Sequence, residues 1–263
     1  MENEIAIRIA VFFGVLVVLA TLERLAPRRS LVQPWPRRWF TNLALVVIDT
    51  LTVRALAVAL PILAVAAAVD AGQLGLGLFN QLDWPGWVEF LLAVLIFDFA
   101  IWLQHLITHK VPLFWRFHRV HHADRDFDVT TALRFHPVEI AASSALKVAL
   151  VYMIGPSALA VIVFEILLNA TAMFNHANLR LPLGLDRVVR LVLVTPDMHR
   201  VHHSIHRHEH DSNYGFSLSV WDRIFRTYVP QPAAGHDTMT VGLEWQDDRP
   251  MKLAWALWLP FRR

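Results

Sequence analysis

The chain has 263 residues, 56% of them hydrophobic and 17% charged, with a net charge of +2, 14 histidines and no cysteine. Soluble domains average about 45–50% apolar and about 25% charged residues, so the excess apolar surface needs something other than water to face. Without cysteine there can be no disulfide, thiolate zinc site, cysteine-held iron–sulfur cluster or thiol nucleophile, and any metal must be held by histidine, carboxylate or main chain.

In chain order, residues 5–22 form the first apolar run long enough to cross a bilayer, with Arg8 near its start. The acidic MENE start and the lack of a small-residue cleavage site argue against a cleaved signal. A second run covers residues 43–69 and encloses Asp49 and Arg54, which either pair within the membrane or face the bundle. A third covers residues 87–104 with Asp98 near its far end, and a fourth covers residues 140–174. Gly155-Pro156 interrupts the fourth, which therefore predicts a hairpin of two helices. Arg24, Arg28, Arg29, Arg37 and Arg38 lie between the first and second runs, whereas no Lys or Arg lies between Asp70 and Asp83. The positive-inside rule then puts the N-terminus outside and returns the chain to the cytoplasm near Gln104, just before the histidines begin. Residues 251–263, MKLAWALWLPFRR, read as an interfacial amphipathic segment. No basic stripe or recognition motif for nucleic acid is present.

The histidines carry the chemistry. His105 and His109 are four apart in HLITH, and the pentapeptide HRVHH occurs twice, as His118/His121/His122 and His199/His202/His203. Spacings of three and four stack the rings on one side of a helix. Imidazole suits zinc, copper and iron, and eight or more of them are what two adjacent metals need. Each HRVHH then supplies one wall of a two-metal site.

Together with RFHPVE (134–139), FNHANL (174–179), DSNYG (211–215) and WDRIFRTY (221–228), these boxes resemble the fatty acid hydroxylase/sterol desaturase superfamily of integral-membrane di-iron oxygenases. The likeness covers roughly residues 90–230, within one domain spanning 1–263. It implies that His105, His109, His118, His121, His122, His199, His202 and His203 bind metal, with His176 as a ninth ligand. His136 is either a further ligand or a group that hydrogen-bonds one. His206, His208 and His210 are surface or supporting residues, and His236 belongs to a loop. A metal-bound histidine commonly donates its other N–H to a carboxylate or carbonyl, so Asp124, Glu139, Asp197, Asp211 and Asp222 are candidate orienting partners, or else ordinary partners of nearby arginines. Asn178 and Asn213 either brace the metal shell or turn the chain. Trp221 and Phe225 are expected to pack beneath the site or sit at the membrane interface.

The resemblance further implies two iron ions, O2 as co-substrate, and hydroxylation of a fatty acyl, alkyl or sterol-like chain, with desaturation as the alternative on the same site. Zinc can replace iron in an all-nitrogen site. No flavin, nicotinamide or haem module is recognisable, so electrons must come from a separate donor protein, with the scattered arginines attracting an acidic carrier. One rival is an acyltransferase built on His121 and Asp126, which satisfy H-x4-D. The non-enzymatic rivals are a metal carrier and a haem-anchoring protein. The expected fold is all-α: a membrane bundle of about three spans plus the broken hairpin, capped on the cytoplasmic side by the histidine-bearing helices.

Overall fold

A computed structural model describes residues 3–60 and 63–262, and the regular structure among them is entirely helical. Met1 and Glu2 of the MENE start, Pro61 and Ile62 of the second predicted run, and Arg263 of the tail lie outside the described residues. In order come α1 (Glu4–Leu25), α2 (Trp35–Leu56), α3 (Ala64–Leu74), α4 (Gly86–Lys110), α5 (Pro112–His122), α6 (Pro137–Ile154) and α7 (Ala158–His176). Helices α1, α2, α4, α6 and α7 are long and apolar enough to cross a membrane. The short helices α8 (Leu183–Val189), α9 (Pro196–His202), α10 (Arg207–His210), α11 (Val220–Ile224) and α12 (Leu253–Trp258) complete the cap.

The long helices bury narrow stripes and expose the rest. On α1 only Leu16, Leu19 and Glu23 are buried, while Ile9, Phe13 and Val17 are exposed. Apolar side chains on the outside of a bundle are what lipid as solvent permits. Inside, Phe97 of α4 stacks on Phe164 of α7 with centroids 5.0 Å apart. Ala93 and Ala160 are fully buried in the same cluster, where small side chains let the helices approach. The expected hairpin forms: α6 ends at Gly155 in the left-handed conformation (φ 66°), and Ser157 caps α7 by accepting the Ala160 N–H. A Cβ on Gly155 would lie 2.6 Å from the Leu76 carbonyl oxygen, and one on Gly77 (φ 94°) only 2.2 Å from the Gly155 nitrogen. The loop after α3 therefore presses directly on the hairpin turn.

The second membrane helix differs from expectation. It begins at Trp35 and ends at Leu56, with α3 as a separate helix beyond, rather than running from 43 to 69. Its early turns contain Arg38, Thr41 and Asn42, which hydropathy rejects, yet all three are buried because the cap supplies their partners. Arg38 grips Asp124 through two bonds of 2.8 and 2.9 Å and Asp128 through one of 2.7 Å. Thr41 donates to the Met251 carbonyl, and Asn42 to Asp124 and Thr130. Asp49 is buried with Oδ1 unpartnered, and Arg54 is exposed, so neither member completes the pairing that the sequence allowed.

Two further readings change. Arg28, Arg29 and Arg38 are not free attractants for a carrier: Arg28 pairs with Asp197 and Asp237, Arg29 donates to the Met239 carbonyl, and Arg38 is sealed in its ion pair. The tail is not simply a surface segment either. Trp255, Ala256 and Leu259 are buried against Leu45 and Val120, leaving Trp258 and Phe261 outside.

Candidate metal centre

The C-terminal ends of α4 and α7, together with α5 and α9, converge at one end of the bundle. Helix α4 continues past Gln104 to Lys110, so His105 and His109 do share one helix. Pro112 at the first turn opens α5, which carries His118, His121 and His122, and Pro196 opens α9, whose N-cap Thr195 accepts the Met198 N–H. His176 closes α7. These elements bring nine histidines together, every one of them buried.

The nine separate into two groups. His105, His109, His118, His122 and His202 offer ring nitrogens within 4.8 Å of one another, and so do His121, His176, His199 and His203. Each HRVHH serves both groups. The first repeat sends its outer pair, His118 and His122, to the first group and His121 to the second; the second repeat sends its outer pair, His199 and His203, to the second group and His202 to the first. The duplication thus gives two segments that exchange roles across the pair of histidine groups.

The nitrogens themselves test whether a cation fits. Four rings are oriented by acceptors that cannot donate: His105 Nδ1 gives its proton to the Tyr214 carbonyl (2.7 Å), His118 Nδ1 to Glu139 (2.6 Å), His176 Nδ1 to the Ala172 carbonyl (2.7 Å) and His202 Nδ1 to the Ser212 carbonyl (2.6 Å). Each Nε2 is then a bare lone pair in the neutral ring. Yet His105 Nε2 faces His118 Nε2 at 3.0 Å, and His176 Nε2 faces His121 Nε2 at 3.1 Å. In the first of these pairs both nitrogens are such lone pairs, which repel unless a cation lies against both, and two nitrogens each bonded at about 2.0–2.1 Å to one ion have such a separation. Both nitrogens of His109, His122, His199 and His203 are buried without a hydrogen-bond partner, a costly arrangement for polar atoms. Burial, and then the neighbouring imidazoles, push His121, His122, His199 and His203 well below the ordinary histidine value. Neutral, buried, inward-facing imidazoles are a donor set for a divalent transition metal.

The other candidates fall around this centre in different ways. Glu139 reaches His118 directly, and Asp211 lies 3.5 Å from His109 Nδ1 while also pairing with Lys110. Asp222 acts through the backbone: it accepts the Tyr214 and Gly215 N–H groups and the Trp102 and Thr227 donors, fixing the turn whose carbonyl orients His105. Asp124 touches no histidine. Burial alone would raise its pKa, but Arg38 outweighs that and holds it below the usual carboxylate range. Asp197 pairs with Arg28 and Arg200. Asn178 bonds the backbone of Arg29, and Asn213, itself at φ 50°, ties Met198 to Val229, so both brace loops. His136 lies outside both groups, accepting the Val138 N–H and donating to the Leu257 carbonyl. His206 and His208 are exposed, while His210 is buried and stacked on Trp115. Both oxygens of Asp126 accept backbone N–H groups, from Val32 and Gln33, so it is not paired with His121.

Several contributors escaped the sequence reading. Phe135 stacks on His121 (4.5 Å, 7°), Trp115 lies 5.0 Å from His109, and Phe216 lies 4.8 Å from His105. The Ala172, Ser212 and Tyr214 carbonyls carry no residue-type signal at all. Phe135, Ser212 and Tyr214 stood inside quoted motifs, but for their neighbours rather than for themselves.

Comparison with known proteins matches the part of the chain that carries these histidines. A profile described as fatty acid hydroxylase matches residues 90–227, just over half of the chain. Alkylglycerol monooxygenase of Xenopus tropicalis is 35% identical over 149 residues, 56% of this chain and 31% of that protein. The Homo sapiens alkylglycerol monooxygenase is 35% identical over 152 residues, 57% of this chain and 33% of that protein. Ornithine lipid hydroxylase OlsE of Rhizobium tropici is 26% identical over 230 residues, 85% of this chain and 68% of that protein. The aligned part thus spans about a third of the alkylglycerol monooxygenases. No solved structure gives a significant match.

Proposed function

Because the chain belongs to the fatty acid hydroxylase family, we propose that it is a membrane oxidoreductase that hydroxylates a C–H bond on the alkyl or acyl chain of a lipid. The observation that carries this reading is the partition of nine buried imidazoles into adjacent groups of five and four. In the proposal His105, His109, His118, His122 and His202 hold one iron, and His121, His176, His199 and His203 the other. Bound iron would supply the reductive activation of O2 that histidine and carboxylate side chains cannot provide. The overall balance is R–H + O2 + 2 electrons + 2 protons giving R–OH and water, with the electrons delivered by a separate donor protein.

The chain's own residues hold and orient. Glu139 and the Tyr214, Ala172 and Ser212 carbonyls fix four imidazole tautomers, and Asp211 faces a fifth ring. Phe127, Phe135 and Phe216 line the centre with apolar rings that exclude water. The arginines gathered between Arg24 and Arg38, with no Lys or Arg between Asp70 and Asp83, support a centre on the cytoplasmic face. The names of the relatives, an alkylglycerol monooxygenase and an ornithine lipid hydroxylase, support a lipid substrate.

Metal content per chain tests the reading, with iron and zinc quantified separately because nitrogen sites accept both. The double variant His121→Ala/His202→Ala removes one ligand from each group. Two metals per chain in the wild type, lost in the folded variant, are expected; a folded, metal-free wild type prepared without chelators would overturn it.

A further inference from the structure

The cap exposes an apolar surface that no part of the metal centre requires. Leu185, Val188, Leu191, Val192, Ile224 and Phe225 are between 48% and 66% exposed. They belong to two adjoining segments: the Val194 N–H donates to the Ser217 carbonyl and the Ser219 N–H to the Val192 carbonyl, both at 2.9 Å. Arg223 and the Ser219 hydroxyl both donate to the Arg190 carbonyl, so the irregular backbone here is well satisfied. That is the condition for non-helical chain to sit at membrane depth.

The depth follows from α4. Phe225 stacks on Trp102 at 4.5 Å, and Trp221 donates to Asp98 at 2.7 Å. Asp98 precedes Lys110, the histidine-bearing end of the helix, by twelve residues, which is ~18 Å at 1.5 Å per residue. The α11 end of the unit therefore stands beside α4, well below its end, and the leucines and valines of the α8 segment are tied to it through the Val194–Ser217 and Ser219–Val192 bonds. Arg180, Arg187 and Arg226 are exposed nearby, long enough to reach headgroups while their stems stay apolar.

We propose that α8 and α11 form a re-entrant unit seated in the leaflet on the histidine side of the membrane, covered by lipid acyl chains, given that α4 crosses the bilayer. The unit leads directly to the centre. Phe216, on the strap between Tyr214 and Ser219, contacts His105 and packs against both the α4/α7 and the α1/α7 apolar clusters. Asn175 and Thr171 of α7 latch that strap through the Phe216 carbonyl and the Ser217 hydroxyl.

The absence of cysteine allows single spin labels on the full chain without other changes. Leu185→Cys, Val188→Cys, Val192→Cys and Ile224→Cys are labelled in phosphatidylcholine/phosphatidylglycerol nanodiscs, with Leu95→Cys on exposed α4 and Arg207→Cys on the cap as references. Collision with O2, which concentrates in lipid, is compared with collision with a water-soluble nickel chelate. The four labels are expected to match residue 95, rich in O2 and shielded from nickel, at a depth of about 5–10 Å or more. Nickel access like that of residue 207, with residue 95 still shielded, would overturn the unit while leaving the span intact. Shielding from both probes would mean a protein cover and would also overturn it. Nickel access at residue 95 would remove the membrane span and the proposal with it.

Discussion

His118 shows how one side chain is prepared for the ligand role proposed for it. Its Nδ1 proton is committed to Glu139 at 2.6 Å, so Nε2 is left bare and turned toward His105. Glu139→Gln keeps the shape but removes the charge that makes the ring a stronger donor. Loss of such a partner typically weakens metal binding by about 10–100-fold. The expected outcome is a metal titration in which the first group weakens relative to wild type while the second, which Glu139 does not touch, keeps its affinity; an unchanged first group, or an equal loss at both, would contradict the assignment. At this scale the box histidines were legible because their spacing and number exceed chance. Glu139 could not be told from Asp124 by sequence. Both are carboxylates close to the boxes, and only the fold decides that one meets an imidazole and the other Arg38.

Helix α2 joins membrane to cap through a buried charge cluster. Arg38, Asp124 and Asp128 have side chains no more than 2% exposed, and the carboxylates also accept from Asn42, Thr131 and Trp39. Arg38→Met would leave two carboxylates buried without their cation, an arrangement that costs about 3–5 kcal/mol. Arg37, one residue earlier and exposed, should change stability by less than about 0.5 kcal/mol when replaced by Met. Thermal unfolding of the two variants side by side checks the contrast, and similar midpoints would sink it. The same cluster explains why α2 was misplaced from sequence. Hydropathy treats Arg38 and Asn42 as surface residues, because their partners lie some ninety positions away in the chain. By contrast, α1, α4 and the α6–α7 hairpin were readable, since each is defined by local apolar runs and by Gly155-Pro156.

On the scale of the whole molecule, folding encloses imidazoles that the unfolded chain exposes. In the metal-free protein His121, His122, His199, His202 and His203 are held below the ordinary value of 6.5 by burial first and by their histidine neighbours. Below that value the unfolded chain binds protons that the folded chain refuses, so stability rises with pH and is lost as pH falls through the unfolded value. Each group contributes up to about 1.4 kcal/mol per pH unit in that window. The metal-free protein should therefore lose thermal stability steeply below about pH 6.5, and metal should raise the midpoint above it by mass action. A flat midpoint between neutral and mildly acidic pH in the metal-free form would show that the rings are not enclosed. The sequence by itself determined the all-helical class, the membrane character, the hairpin and the histidine boxes, because these depend on composition and on spacings within a single turn or run. Only the tertiary structure decided how each HRVHH divides between two groups, which carboxylate orients which ring, where α2 begins, and that Trp221 and Phe225 pack on α4. Those features are contacts between residues far apart in the chain, set by the packing of whole helices rather than by any local pattern.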